Sequence, residues 1–134
     1  MIVVDTNILL YFYLFSEYSI QAEQAFNRDS NWVAPFLWRS EFRNALMLYL
    51  RKKILTLEDI SLMMQNAEAQ MREHEYEVSS TTVINLAASS DCSAYDCEFV
   101  ALAQELEVPL ITVDKKVIRA FPKTAIPLEK FVLQ

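Results

Sequence analysis

No glycine occurs anywhere in the 134 residues. Loops that cradle phosphates in dinucleotide-binding domains and P-loop enzymes are thereby excluded, because both need glycine for close backbone approach. Histidine occurs once, which removes histidine-based metal clusters and most histidine-dependent triads. That residue, His74, lies among Glu73, Glu75 and Glu77 and reads as a solvated imidazole. Two cysteines, Cys92 and Cys97, are too few for a four-ligand zinc site and read as small buried thiols. No apolar run reaches the roughly 18 residues of a membrane span. Nor does the chain open on a basic region, an apolar stretch and a small-residue cleavage site. The expectation is a soluble, cytoplasmic protein with no membrane partner.

Positive charge is also scarce: 12 Lys and Arg stand against 18 Asp and Glu, a net charge of −6. Affinity for phosphate backbones comes mainly from Lys and Arg, so the sum argues against a nucleic-acid partner. The distribution argues differently. From Glu58 to Glu77 six acids accompany one Arg, whereas from Asp114 onward five bases, Lys115, Lys116, Arg119, Lys123 and Lys130, face two acids. A basic edge survives inside an acidic protein.

What is abundant is apolar surface, 53% of residues, enough for one domain over 1–134 with a real core. Ile2-Val-Val4 is short, β-branched and continuously apolar, as a central parallel strand covered on both faces would be. Asp5 ends it, and Ile8 to Phe15 follows as an apolar helix. A second helix runs over Glu17 to Arg28. Asn31 to Pro35 reads as a strand, Phe36 to Leu50 as a helix, and Thr56 opens another helix that continues over Ile60 to Met71. Glu75 to Val78 is the next strand, and Ser79 caps a helix through about Ala88. Ala94 to Glu107 is helical, Pro109 to Val113 a strand, Lys115 to Ala120 a short helix, and Thr124 to Ile126 the last strand. Strands alternating with helices imply a parallel sheet with helices on both faces.

Two acids thus stand at carboxyl ends of strands, Asp5 and Asp114, where open α/β sheets bind ligands. Helix capping is the simpler reading of either. Glu41 is harder to explain that way. By helical spacing it shares a face with Leu37, Asn44, Ala45 and Leu48, while Arg39 and Arg43 define a solvent side. Asp96 begins the stripe continued by Phe99, Val100 and Ala103, with Glu98 and Glu105 opposite, although an acid in a first turn also suits the helix dipole. Four converging carboxylates repel one another unless a cation intervenes. Oxygen ligands without His or Cys suit Mg²⁺ or Mn²⁺, and such a metal supports phosphodiester hydrolysis. The bases after Asp114, Lys115, Lys116 and Arg119, would then hold the flanking phosphates.

Four segments, Val3-Val-Asp-Thr-Asn-Ile8, Ser40-Glu-Phe-Arg-Asn44, Ser93-Ala-Tyr-Asp96 with Val100-Ala-Leu-Ala103, and Ile111-Thr-Val-Asp114, together resemble the PIN-domain nucleases. In size the chain is similar to the VapC-type toxins of bacterial and archaeal toxin–antitoxin pairs. The resemblance implies a three-layer α/β/α sandwich with a mostly parallel five-stranded sheet and metal-dependent endoribonuclease activity. It places the acidic quartet on Asp5, Glu41, Asp96 and Asp114, with Asn7 and Thr112 in supporting positions. It also implies a cognate antitoxin and a homodimer, for which the aromatic stretch Tyr11 to Tyr18 and the Met-rich helix are the expected contacts. The glycine common before the fourth strand is here Glu107. Two other readings compete: a nucleophilic-Asp phosphatase, which needs a second acid where Asn7 stands, and a non-catalytic nucleic-acid or protein-binding module.

Overall fold

The computed structural model describes residues 1–134. The apolar run Ile2–Val4 is β1, buried at every position, and α1 (Thr6–Tyr13) and α2 (Ser19–Arg28) follow it. Next come β2 (Trp32–Pro35), α3 (Trp38–Arg51), α4 (Leu57–Met71) and β3 (Glu75–Tyr76). The chain continues through α5 (Ser80–Ala88), α6 (Ala94–Leu106), β4 (Leu110–Thr112), α7 (Lys115–Ala120), β5 (Ala125–Pro127) and α8 (Leu128–Phe131). Local chemistry sets most of these starts. Ser79 and Ser93 accept bonds from Thr82 and Asp96 N–H, and Thr56 forms a reciprocal capping box with Asp59.

The strand order is β3-β2-β1-β4-β5. Every pairing is parallel, so the sheet is wholly rather than mostly so. From β1 the chain steps outward to β2 and β3, then returns to lie on the other side of β1 as β4. Right-handed crossovers therefore put α1 to α4 on one face and α5 with α6 on the other, which makes three layers. Contacts agree: α6 packs on β1, β2 and β4, while α1 packs on β1 and β4 and α4 on β2. The reversal between β1 and β4 is a topological switch point, where the loops leaving adjacent strands diverge and open a crevice. Asp5 and Asp114 leave the strands at that crevice.

Two expectations change. The third strand has only two residues, and side chains hold it: Arg39 Nε and Nη2 donate to Glu75 at 2.6 and 2.7 Å, and Trp38 Nε1 donates to Glu75 Oε2 at 2.7 Å. Arg39 also pairs with Glu68 at 3.1 Å, so it does not mark a free solvent side. Glu75→Ala is expected to cost about 2–3 kcal/mol in a denaturant titration, because it removes charge-assisted bonds and strands the Trp38 indole N–H. An unchanged midpoint would show that β3 is held otherwise. The aromatic stretch, in turn, is half-buried against the core. Phe12 meets Phe26 and Trp32, and Tyr13 meets Phe42, which leaves Phe15 as its fully exposed member. Met71 is buried, and Met47, Met63 and Met64 are half-buried against the core.

Absence of glycine leaves a trace in the backbone. Glu107 ends α6 in the left-handed conformation, φ 57° and ψ 42°, where glycine is the usual residue. A Cβ there costs roughly 1 kcal/mol. Glu107→Gly is therefore expected to stabilise the fold by no more than about 0.5 kcal/mol after the added freedom of the unfolded chain is subtracted. A loss of stability in the same titration would mean that the Glu107 side chain does something its exposure hides.

Candidate active site

Asp5 begins the site because it ends β1 and caps α1 at once. Its Oδ1 accepts the Thr6 N–H at 2.8 Å, and its Oδ2 accepts the Thr112 hydroxyl at 2.7 Å. The capping reading is thus correct and does not exhaust the role. Thr112 is wholly buried, a position that a hydroxyl occupies only when its bonds are made. It makes two, donating to Asp5 and accepting the Asp114 N–H at 3.0 Å. One threonine thereby ties the acid after β1 to the acid after β4.

Thr6, which the sequence reading passed over, plays the corresponding part on the other side. Its backbone N–H holds Asp5, and its hydroxyl donates to Glu41 Oε1 at 2.7 Å. Glu41 is half-buried on the flank of α3 rather than within its core stripe, which is Trp38, Phe42 and Leu46. Asn44 and Leu48, expected on the covered face, are exposed. The helix is rotated so that its first turn, carrying Glu41, reaches the crevice.

Electrostatics show which acids face one another. Asp5 is half-buried as a residue, and loss of hydration is the largest influence on its carboxyl, pushing it from 3.8 up to about 7. The Thr112 bond opposes that rise, while the charges of Glu41 and Asp96 add to it. Burial likewise raises Glu41, against the Thr6 bond and with the help of Asp96 and Glu98. Burial raises Glu98 too. Asp5, Glu41 and Asp96 therefore share one field, and Glu98 joins them. The expectation that Glu98 lies on the far side of α6 is overturned: it is half-buried and within the field of Glu41.

Asp96 closes a capping box with Ser93, whose Oγ accepts the Asp96 N–H at 3.0 Å. Asp114 caps α7 through Lys116 and Val117 N–H at 2.9 and 3.3 Å. Its charge is not among those acting on Asp5 or Glu41; with that of Asp96 it acts on Cys92, whose thiol burial raises first of all. Cys92 and Cys97 are buried and free, as expected. His74 is half-buried rather than solvated. Of the three bases after Asp114, Lys116 lies toward Cys92, while Lys115 and Arg119 line a pocket beyond the end of β4.

None of the four carboxylates has a basic partner, since the ion pairs of the chain involve only the N-terminus with Asp29 and Arg39 with Glu68 and Glu75. No three of the acids already stand as a ligand cluster. Asn7 places Nδ2 3.5 Å from Asp5 Oδ2, and its buried Oδ1 has no partner. Uncompensated carboxylates and an orphaned amide oxygen form a donor set of hard oxygens, which fits Mg²⁺ or Mn²⁺ and not a softer metal.

Known proteins share the fold and the family. Ribonuclease VapC3 of Pyrobaculum aerophilum is 26% identical over 129 residues, covering 94% of this chain and 98% of that protein. The crystal structure of PAE2754 from the same organism superposes with a TM-score of 0.78 at 17% identity, over 98% of this chain and 93% of the other. FitAcB from Neisseria gonorrhoeae gives 0.76 at 12% identity, over 96% and 99%. The family model described as PIN domain matches residues 2–124, a span that holds all four acids and both threonines. The chain belongs to the PIN domain family.

Proposed function

We propose that this PIN domain is a metal-dependent endoribonuclease, the toxin of a toxin–antitoxin pair, acting in the cytoplasm. The observation that carries the reading is the group of carboxylates without counter-charge, with Asp5 pushed up to about 7. A fold that needed these acids only as caps would leave them hydrated. The likeness to a protein named a ribonuclease, extending over 94% of the chain, supports the reaction class.

Asp5, Glu41, Asp96 and Asp114 would hold Mg²⁺ or Mn²⁺, and the bound ion would supply an acidified water and charge on the scissile phosphate. The chain's own residues do the rest. Thr112 and Thr6 fix the carboxyls of Asp5 and Glu41, Asn7 offers its free Oδ1 beside them, and Glu98 adds negative potential. Lys115, Lys116 and Arg119 hold flanking phosphates and offset the repulsion between RNA and an acidic protein. A cognate antitoxin and a homodimer complete the proposal. Exposed Phe15, Leu57 and Leu62 are among the apolar residues free to meet them.

A titration of RNA cleavage with Mg²⁺ and Mn²⁺ by purified, antitoxin-free protein tests the reading. Cleavage that requires the metal and stops with EDTA is the expected result. A folded protein that binds RNA but never cuts it would be a non-catalytic module instead.

A further inference from the structure

The acidic crevice has a neighbour of opposite character. A pocket of about 520 Å³ lies between the start of α2, the end of β4, α7 and the β5–α8 corner. That is within the range of small-ligand sites, about 300–1,000 Å³. Val113 and Ile118 form part of its apolar floor, and Lys115, Arg119 and Lys130 stand exposed around it. None of the three is in an ion pair, and Glu129 is the one acid in the lining. In a chain of net charge −6, three unpaired cations around one apolar floor mark a place for an anion with an apolar part.

Tyr18 joins the lining, half-buried, with its ring 4.8 Å from that of Tyr11. Tyr11 belongs to α1, the helix that Asp5 caps, so the ring pair ties the pocket to that helix on one side. On the other, Thr112 bonds Asp5 while its neighbour Val113 lines the pocket, as alternation at a strand end requires.

We propose that this pocket is a nucleotide subsite: it takes an unpaired RNA nucleotide adjacent to the scissile bond, with its base on Tyr18 and its phosphate held by Lys115, Arg119 and Lys130. Its part in cleavage rests on the nuclease reading. Its part in binding does not. A base can enter only when unstacked, so the subsite selects single strands over duplex, and stacking on an aromatic face makes it tolerant of base identity.

The test is fluorescence anisotropy of a labelled, unstructured ten-nucleotide RNA in EDTA, with its duplex form alongside, followed by cleavage kinetics with Mg²⁺. Lys130→Glu and Tyr18→Ala are each expected to weaken single-strand binding about tenfold, and Tyr18→Phe to preserve it. Lys130→Glu should also flatten the slope of log affinity against log salt by about one. Lys123→Glu, the same charge change outside the pocket, should alter affinity less than about twofold. In cleavage KM should rise and kcat stay unchanged. Wild-type-like binding by both pocket variants, or an equal loss in Lys123→Glu, overturns the subsite even if RNA is cut normally. Pocket-dependent binding without any cutting would sink the nuclease reading and leave the subsite standing. If the variants lose affinity for a labelled poly-glutamate peptide and not for RNA, the pocket serves a protein partner and the proposal fails.

Discussion

Asp5→Asn and Asp96→Asn are each expected to lower metal-dependent RNA cleavage by about 10²–10³-fold, with the circular dichroism spectrum unchanged. The substitution keeps shape and removes charge. At position 5 the single amide oxygen still accepts the Thr6 N–H and keeps the cap, while the amide NH2 stands where Oδ2 accepted the Thr112 hydroxyl, so that bond to β4 is given up. At position 96 the amide oxygen still accepts from the Ser93 N–H, at 3.4 Å in the native chain. Both helix caps survive, so a loss larger than that of Thr112→Val, which breaks the same link to β4, would report on the carboxylates as charges. Thr112→Val should cost less, about 10–100-fold, because Thr112 orients Asp5 without itself meeting the phosphate. Full activity in either Asn variant would remove the acidic quartet from the mechanism.

The metal-free protein should lose stability as pH rises from about 4 to 7, which is the reverse of ordinary acid denaturation. Folded Asp5 keeps its proton up to about 7, whereas the unfolded carboxyl releases it near 3.8. Within that window the folded state binds more protons, so each increment of pH favours unfolding, and above the window the penalty is complete and constant. Each pKa unit is worth about 1.36 kcal/mol. Because Asp5 retains partial contact with water, we discount the full shift to a penalty on the order of 2 kcal/mol. Glu41, also raised, acts in the same direction. Glu75, lowered by its Arg39 bond, contributes stability above about 4.5 that is lost as pH falls, so it opposes them on the acid side. Thermal melts in EDTA should therefore peak near pH 5. Asp5→Asn should be the more stable protein at pH 8. Saturating Mg²⁺ or Mn²⁺ should restore about 2.7 kcal/mol to the wild type at one hundred times Kd, and far less to the variant. A flat profile, or a less stable Asp5→Asn at pH 8, would mean that Asp5 is not the desolvated carboxylate the crevice makes it.

Much of this site is written in short-range chemistry. An apolar run ended by an acid announces β1 with Asp5 and β4 with Asp114. The serine and threonine at positions 79 and 56 announce helix starts, because a cap acts within three residues. Contacts across the chain are less legible. Glu98 was assigned to the wrong side of α6 because helical spacing ranks faces by apolar content, and the crevice is a covered place lined by polar groups. Thr6 carries no signal of its own. Its hydroxyl has a partner 35 residues away, which nothing in its neighbourhood signals. The two-residue β3 depends on an Arg–Glu clasp between distant segments, not on strand propensity.

The sequence by itself determined the alternation of strand and helix, the caps, and the four acids placed where strands end or helices begin, since each follows from bonds and burial within a few residues. Only the tertiary structure decided which acids meet. The order β3-β2-β1-β4-β5 brings residue 112 beside residue 5, rotates Glu41 into the crevice, and sends Lys115 and Lys116 to different surroundings. Desolvation and mutual repulsion depend on those distances and on excluded water, and both arise only when the crossover closes the sheet.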